Sequence, residues 1–212
     1  MIDKTELYID GAWVKSIDGT VIPVINPATE EGYASITLAG KADTETAIAV
    51  AKRTFPTWSM TSPEERLEYL KKILAVYQAR ELEMAHVISE EMGAPIDLAI
   101  SEQASSGSSH LKAFIRTLAA FEWVRPLRPG TAGQDLTYEP AGVAALITPW
   151  NWPMNQVALK VGAAIAAGCT MVLKPSEIAP MSGMLFADML HEAGLPAGVF
   201  NMINGDGVGA GS

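Results

Sequence analysis

An α/β fold, a parallel sheet with flanking helices, is what this sequence predicts, and three observations predict it. First, two short apolar runs, Val143 to Ile147 and Met171 to Leu173, have the length and composition of strands buried on both faces. Second, the chain between them reads as a helix. Pro153 stands at its first position, where a missing N–H costs nothing, and Val157, Ala158, Val161, Ala164, Ile165 and Ala167 are all small or branched. Gly162 and Gly168 would let this helix lie close to a sheet. Strand, helix and strand make the unit from which parallel sheets are built. Third, each apolar run ends in a polar cluster, Thr148-Pro149-Trp150-Asn151 and Lys174-Pro175-Ser176-Glu177. In open sheets of this kind ligands bind beyond the carboxyl ends of the strands, which makes these clusters the first functional candidates.

The other elements follow in chain order. Leu7-Tyr8-Ile9 and Trp13-Val14 flank Asp10-Gly11, a hairpin signal. Val21 to Ile25 and Tyr33 to Leu38 continue the strands across the Asn26-Pro27 turn. A first helix takes Asp43 as its cap and buries a stripe of Ala47, Ala51, Phe55 and Trp58. Ser62-Pro63-Glu64-Glu65 is a capping box opening one long helix, with Leu67, Leu70, Leu74 and Tyr77 on one face, that runs to about Gly93. Ala94-Pro95 restarts the chain into a third helix reaching about Trp123. Its middle, Ser105-Ser106-Gly107-Ser108-Ser109, is poor in helix formers and is expected to bend. Arg125 to Pro140 breaks the pattern with Pro126, Pro129, Gly130 and Gly133 before a short β segment. Two readings stand for it: a surface loop, or a projecting ribbon that pairs with another subunit's edge. Pro180 to Ala193 is a helix and Val199 to Ile203 a third parallel strand. That strand is expected to expose an unpaired edge, since the parallel sheet should continue past Ile203.

Composition sets bounds. With 212 residues, 49% of them apolar, the chain can bury a core and be one domain or one and a half. The net charge of −9 argues against nucleic acid or an anionic membrane as partner. The start, Met1 to Glu6, is polar and acidic, unlike a signal peptide, and no apolar run reaches spanning length. A single cysteine suits a reducing cytoplasm, and His86, His110 and His191 are too scattered to suggest a metal site.

Each motif has a bland and a sharp reading. Gly205, Gly207 and Ala210 fit the spacing of a dinucleotide fingerprint after a strand, or make a plain glycine turn. Lys174, Ser176 and Glu177 either line a solvated loop that caps the next helix or hold the hydroxyls of a ribose. A carboxylate there would repel a 2′-phosphate and favour NAD over NADP. Asn151 is a turn asparagine, or a rigidly held amide that donates to a developing oxyanion. Lys160, on an otherwise apolar helix, snorkels to solvent or points towards the site. Cys169, before a buried strand, reads as inert packing rather than a nucleophile.

Taken together, I-T-P-W-N-W-P at Ile147 to Pro153, A-A-G-C-T-M-V-L-K-P-S-E ending at Glu177, and E-A-G-L-P-A-G-V-F-N at Glu192 to Asn201 resemble the N-terminal part of the aldehyde dehydrogenase superfamily. The Tyr8 to Trp13 hairpin, I-N-P-A-T-E from Ile25 and F-P-T-W-S from Phe55 agree with it. The resemblance implies a Rossmann-like cofactor domain, from 1–124 and 141–212, and an oligomerisation ribbon at 125–140 that builds a homodimer or homotetramer. It assigns Asn151 to oxyanion stabilisation and puts Lys160 near the active site. It assigns Ile147, Thr148, Pro149 and Trp150 to the cofactor wall, Lys174 and Glu177 to the adenosine ribose, and Gly207 and Gly211 to the adenine and pyrophosphate. The implied reaction converts an aldehyde, NAD and water to carboxylate and NADH. It also implies that the cysteine nucleophile and glutamate base lie later than residue 212, so that the chain alone is inactive. The alternatives are a non-catalytic nucleotide-binding or subunit-association piece, and part of a semialdehyde or CoA-acylating relative.

Overall fold

The computed structural model describes residues 1–130 and 133–211. The chain opens with β1 (Ile2–Lys4), β2 (Glu6–Ile9), β3 (Ala12–Lys15), β4 (Thr20–Asn26) and β5 (Glu31–Leu38). β2 and β3 form the expected hairpin. Asp10 and Gly11 both take positive φ, 57° and 78°, as in the mirror-image turns whose twist matches that of paired strands. β1, β5 and β4 make a small sheet of their own.

Five helices follow: α1 (Lys41–Trp58), α2 (Pro63–Ala79), α3 (Glu81–Met92), α4 (Ile96–Leu98) and α5 (Ser105–Ala120), with a π-helical segment, Ala99–Ala104, leading into α5. α1 is capped by Gly40 rather than Asp43. Asp43 sits inside the first turn, where its buried carboxylate accepts Ser16 Oγ and the N–H of Ile17 and reaches back to Gly40 N–H. The Ser62–Glu65 capping box is present in both directions. The long helix is in fact two. The chain leaves helical geometry at Arg80 (φ −116°, ψ 13°), whose guanidinium is held by Glu83 and Glu192. The break lets α2 pack chiefly on α5 while α3 packs chiefly on the π-helical segment; both also border α7 (Met181–Glu192).

The serine-rich stretch was expected to bend, and the distortion falls just before it. The π turn is locked by Tyr77, whose buried hydroxyl donates to Ala104 O at 2.7 Å. Gly107 makes the room, since a Cβ there would overlap the Tyr77 hydroxyl. Burial holds that phenol's pKa well above its ordinary range, so it remains a donor. α5 stops at Ala120, short of Trp123, because Phe121 turns extended (ψ 125°). β6 (Val124–Pro126) and β7 (Asp135–Thr137) then pair antiparallel as a short ribbon. Thr131 and Ala132, within the expected arm, lie outside the described residues.

The second half holds β8 (Val143–Ile147), α6 (Pro153–Ala167), β9 (Thr170–Lys174), α7 and β10 (Phe200–Met202). The five-stranded sheet runs β3-β2-β10-β9-β8. β8, β9 and β10 are parallel as expected. Two expectations are corrected. β10 has no open edge: the N-terminal hairpin closes it, with Tyr8 opposite Met202 in an antiparallel pair. β8, expected to be buried on both faces, is the outer strand, with Val143 and Ile147 exposed. The helix on that face, α1, packs chiefly over β9 and covers little of β8.

Strand alternation sorts the core into two layers. Met171, Leu173, Phe200, Met202 and Tyr8 face α6, α7 and α2. Val172, Ile203, Leu7 and Ile9 face Ala47, Val50 and Ala51 of α1. Thr170 Oγ1 donates to Ala51 O at 2.8 Å across that second layer. Gly162 brings α6 close to Phe114 of α5 rather than to the sheet.

Glu91, in the last turn of α3, is fully buried and accepts the N–H groups of Met181 and Ser182 at the start of α7. Burial raises its pKa from 4.5 to about 7, against the lowering effect of those donors. The folded chain therefore holds a proton that the unfolded chain releases. The associated stability is fully present below pH 4.5 and is lost as pH rises towards about 7. Urea denaturation across that range should show this loss in the wild type and not in Glu91→Gln. Tyr77→Phe removes the hydroxyl bond to Ala104 O and should cost about 0.5–1.5 kcal/mol in the same assay.

Candidate functional site

Parallel pairing brings the carboxyl ends of three strands to one rim. Ile147 pairs with Lys174, and Leu173 with Met202. The zipper continues past the strands: Thr148 N–H donates to Lys174 O at 3.2 Å and Ile203 N–H to Leu173 O at 3.0 Å. Thr148, Lys174 and Asn204 thus stand at the ends of adjacent strands.

Lys174 Nζ meets Glu177 Oε2 at 3.2 Å and Pro175 O at 3.3 Å. Its side chain is 16% exposed and that of Glu177 36%, so the pair is partly shielded yet reachable. Ser176 is buried. Its hydroxyl accepts Ile178 N–H and its carbonyl accepts Ala179 N–H, which folds the loop into a tight turn. Ser176 thereby shapes the loop; the next helix is held instead by Glu91.

Two buried polar atoms on the rim have no hydrogen-bond partner among the described residues: Thr148 Oγ1 and Asn204 Oδ1. Leaving such an atom unpaired costs about 1–3 kcal/mol each, and a ligand rich in hydroxyls would recover that cost. The sequence reading included Thr148 and missed Asn204. The signal was available, because Asn204 follows the third apolar run as Thr148 follows the first.

Ile147, Pro149 and Trp150 are exposed along the outer end of the rim. Asn151 is exposed too, and no side-chain hydrogen bond engages it among the described residues. It precedes Trp152, which adopts the left-handed region (φ 54°) rarely taken by bulky residues and sits at the N-terminus of α6. Strain of that kind costs on the order of 1–3 kcal/mol and is concentrated at functional sites. Lys160 is half-buried on α6, its ammonium donating to Gln156 Oε1 at 3.3 Å. One turn before, Asn155 Oδ1 accepts from His110 Nε2 of α5 at 2.7 Å. Sequence reasoning missed this contact, which only the packing of α5 on α6 creates.

Gly207 begins a turn beyond β10, and nothing lies within 4 Å of where a Cβ would stand. Asp206 Oδ1 ties the turn together by accepting the N–H groups of Val208 and Gly209. Gly211 closes on it, since a Cβ there would come within 2.8 Å of Gly207 O. Cys169 is buried at the amino end of β9, the end opposite Lys174. A separate cleft of about 550 Å³ is lined by Lys4, Glu6, Trp13, Lys15, Thr37 and Met184 among others, and by none of the rim residues. Among the described residues there is no group of three or more His, Cys, Asp or Glu side chains placed to hold a metal ion, and no helix long and apolar enough to cross a membrane.

Residues 13–212 match the model of the aldehyde dehydrogenase family. A 3-succinoylsemialdehyde-pyridine dehydrogenase from a Pseudomonas species is 46% identical over 213 residues, covering all of this chain and 44% of the relative. The crystal structure of an aldehyde dehydrogenase from Bartonella henselae superposes with a TM-score of 0.98 at 52% identity, covering all of this chain and 44% of that one. A mutant of aldehyde dehydrogenase C from Pseudomonas syringae, solved with NAD+ and octanal, gives 0.93 at 44% identity, covering 98% and 42%. The chain thus spans less than half the length of the relatives it matches.

Proposed function

This chain belongs to the aldehyde dehydrogenase family, and we propose that it builds the dinucleotide side of an NAD-dependent oxidation of an aldehyde to a carboxylate. The observation that carries the proposal is the rim. A lysine–glutamate pair 3.2 Å apart ends the central strand, between two strand ends that each hold a buried unpartnered oxygen. Lys174 would donate to, and Glu177 accept from, the hydroxyls of the adenosine ribose; their ion pair orients both before the ligand arrives. A carboxylate in that place opposes a 2′-phosphate, which favours NAD over NADP. Ile147, Thr148, Pro149 and Trp150 would form the adjoining wall, with the Thr148 and Asn204 oxygens ready to accept. Ser176 sets the loop, and Gly207 and Gly211 let backbone approach the adenine and pyrophosphate. The neighbour solved with NAD+ supports a nicotinamide dinucleotide as the ligand. When bound, the nicotinamide supplies the acceptor for the hydride.

Asn151 would donate its amide to the oxyanion that develops on the aldehyde carbon. Its exposure and its lack of a competing side-chain partner suit that task. Lys160, on α6, would add a positive field from nearby. Residues 1–124 and 141–212 would form the cofactor unit, and 125–140 a ribbon that joins subunits into a dimer or tetramer. A cytoplasmic enzyme fits the single cysteine. That cysteine, Cys169, lies at the wrong end of β9 to attack a carbonyl on the rim, so the chain by itself binds cofactor without turnover.

Calorimetric titration of the chain with NAD tests the rim. Lys174→Ala and Glu177→Ala should each weaken binding by about tenfold or more, the worth of a charge-assisted hydrogen bond. Unchanged affinity in both variants would contradict the assignment. Incubation with NAD and an aldehyde should yield no NADH above a protein-free control. Turnover abolished by Cys169→Ala would show that Cys169 is a nucleophile after all.

A further inference from the structure

Glu91 is distant from the rim in sequence, yet its carboxylate acts on the element that borders it. The residue is 1% exposed, and its oxygens accept Met181 N–H at 2.5 Å and Ser182 N–H at 3.0 Å, two of the free donors that open α7. Pro180, at the cap position, has no side-chain acceptor to offer. The acceptor comes instead from a helix ninety residues earlier. A buried carboxylate is a costly way to cap a helix that a serine or aspartate at position 180 could cap locally. The residue after Ser182 is Gly183, and it lies against the rim loop. A Cβ on it would meet Pro175 Cγ at 3.3 Å and Pro175 Cβ at 3.4 Å. Pro175 in turn separates Lys174 from Ser176 and Glu177. The first turn of α7, held by Glu91, therefore passes close beside the loop that carries the lysine–glutamate pair.

We propose that Glu91 is a positioning residue for the dinucleotide site, fixing the first turn of α7 and, through Gly183 and Pro175, the placement of Lys174 and Glu177. The proposal rests on the reading that NAD binds at the rim. One titratable group, Tyr33, interacts with the carboxylate, and Glu90 acts on the same phenol. Tyr33 of β5 has a buried hydroxyl without a partner among the described residues, and burial together with Glu91 and Glu90 keeps it neutral. Glu90 is engaged by Asn26 Nδ2 at 2.6 Å. The ionised Glu91 accepts both N–H groups; once protonated, it keeps one good acceptor and releases the other donor.

The test is NAD titration of the chain at about pH 8 and about pH 6, with amide hydrogen exchange of residues 176–182 measured without ligand. Wild type, Glu91→Gln and Ile73→Ala are compared; the last is a core variant on α2 that leaves the hydrogen bonds of Glu91 in place. Wild-type affinity should fall from the higher to the lower pH. Glu91→Gln should bind about three- to tenfold more weakly at the higher pH, show little further change at the lower, and exchange faster across 176–182. Ile73→Ala should resemble wild type in both readouts. Should Glu91→Gln fail to fold, Glu91→Asp, too short to hold both donors, takes its place. An affinity equal to wild type, or a loss no greater than that of Ile73→Ala, overturns the proposal alone. A wild-type chain that binds no NAD overturns the rim assignment, and this inference with it.

Discussion

The parallel register of β8, β9 and β10 is the constraint on which the rest of the structure depends. Hydrogen bonding between these strands decides that Thr148, Lys174 and Asn204 reach the same rim. A slip of one residue in β9 would turn Val172 towards α6 and α7, send Met171 and Leu173 towards α1, and carry Lys174 off the rim. The two-layer core makes such a slip costly, since each fully buried Leu or Met side chain is worth about 1.5–3 kcal/mol. Site geometry is thus an outcome of core packing, and the apolar residues of β9 place the polar ones.

Much of this was legible in the sequence, where local chemistry alone decides the outcome. The Asp10-Gly11 turn, the Ser62–Glu65 capping box, the proline start of α6 and the strand of Val143 to Ile147 follow from residue types at fixed spacing. What was not legible depends on partners distant in sequence. Nothing near Ile203 announces that Tyr8 will pair with Met202 and close the edge of the sheet. The stripe Leu67 to Tyr77 continues smoothly into Met84 and Ile88, so periodicity ran one helix through Arg80; the break reflects that α2 packs mainly on α5 and α3 mainly on the π-helical segment. The π turn depends on Tyr77 and Gly107 meeting across two helices. At the candidate site, Thr148, Lys174 and Glu177 could be read because they lie at or just beyond strand ends, whereas Glu91 and the His110–Asn155 contact exist only in three dimensions.

Several departures from good protein chemistry lie near the rim. Thr148 Oγ1 and Asn204 Oδ1 are buried without partners, Trp152 is held at positive φ beside Asn151, and a buried carboxylate braces the helix behind the rim loop. Each costs stability in the folded chain. Other departures lie away from it: Tyr33, Trp58, Gln103 and Trp123 each bury a side-chain polar atom without a partner among the described residues.

The measurement that tests the central claim most directly is the mapping of amide chemical shifts in the isotopically labelled chain during titration with NAD. The strand-end assignment predicts shifts concentrated at Thr148, at Lys174 to Glu177 and at Asn204 to Gly207, with the Lys4–Trp13–Lys15 cleft unaffected. Shifts confined to that cleft, with the rim silent, would contradict it.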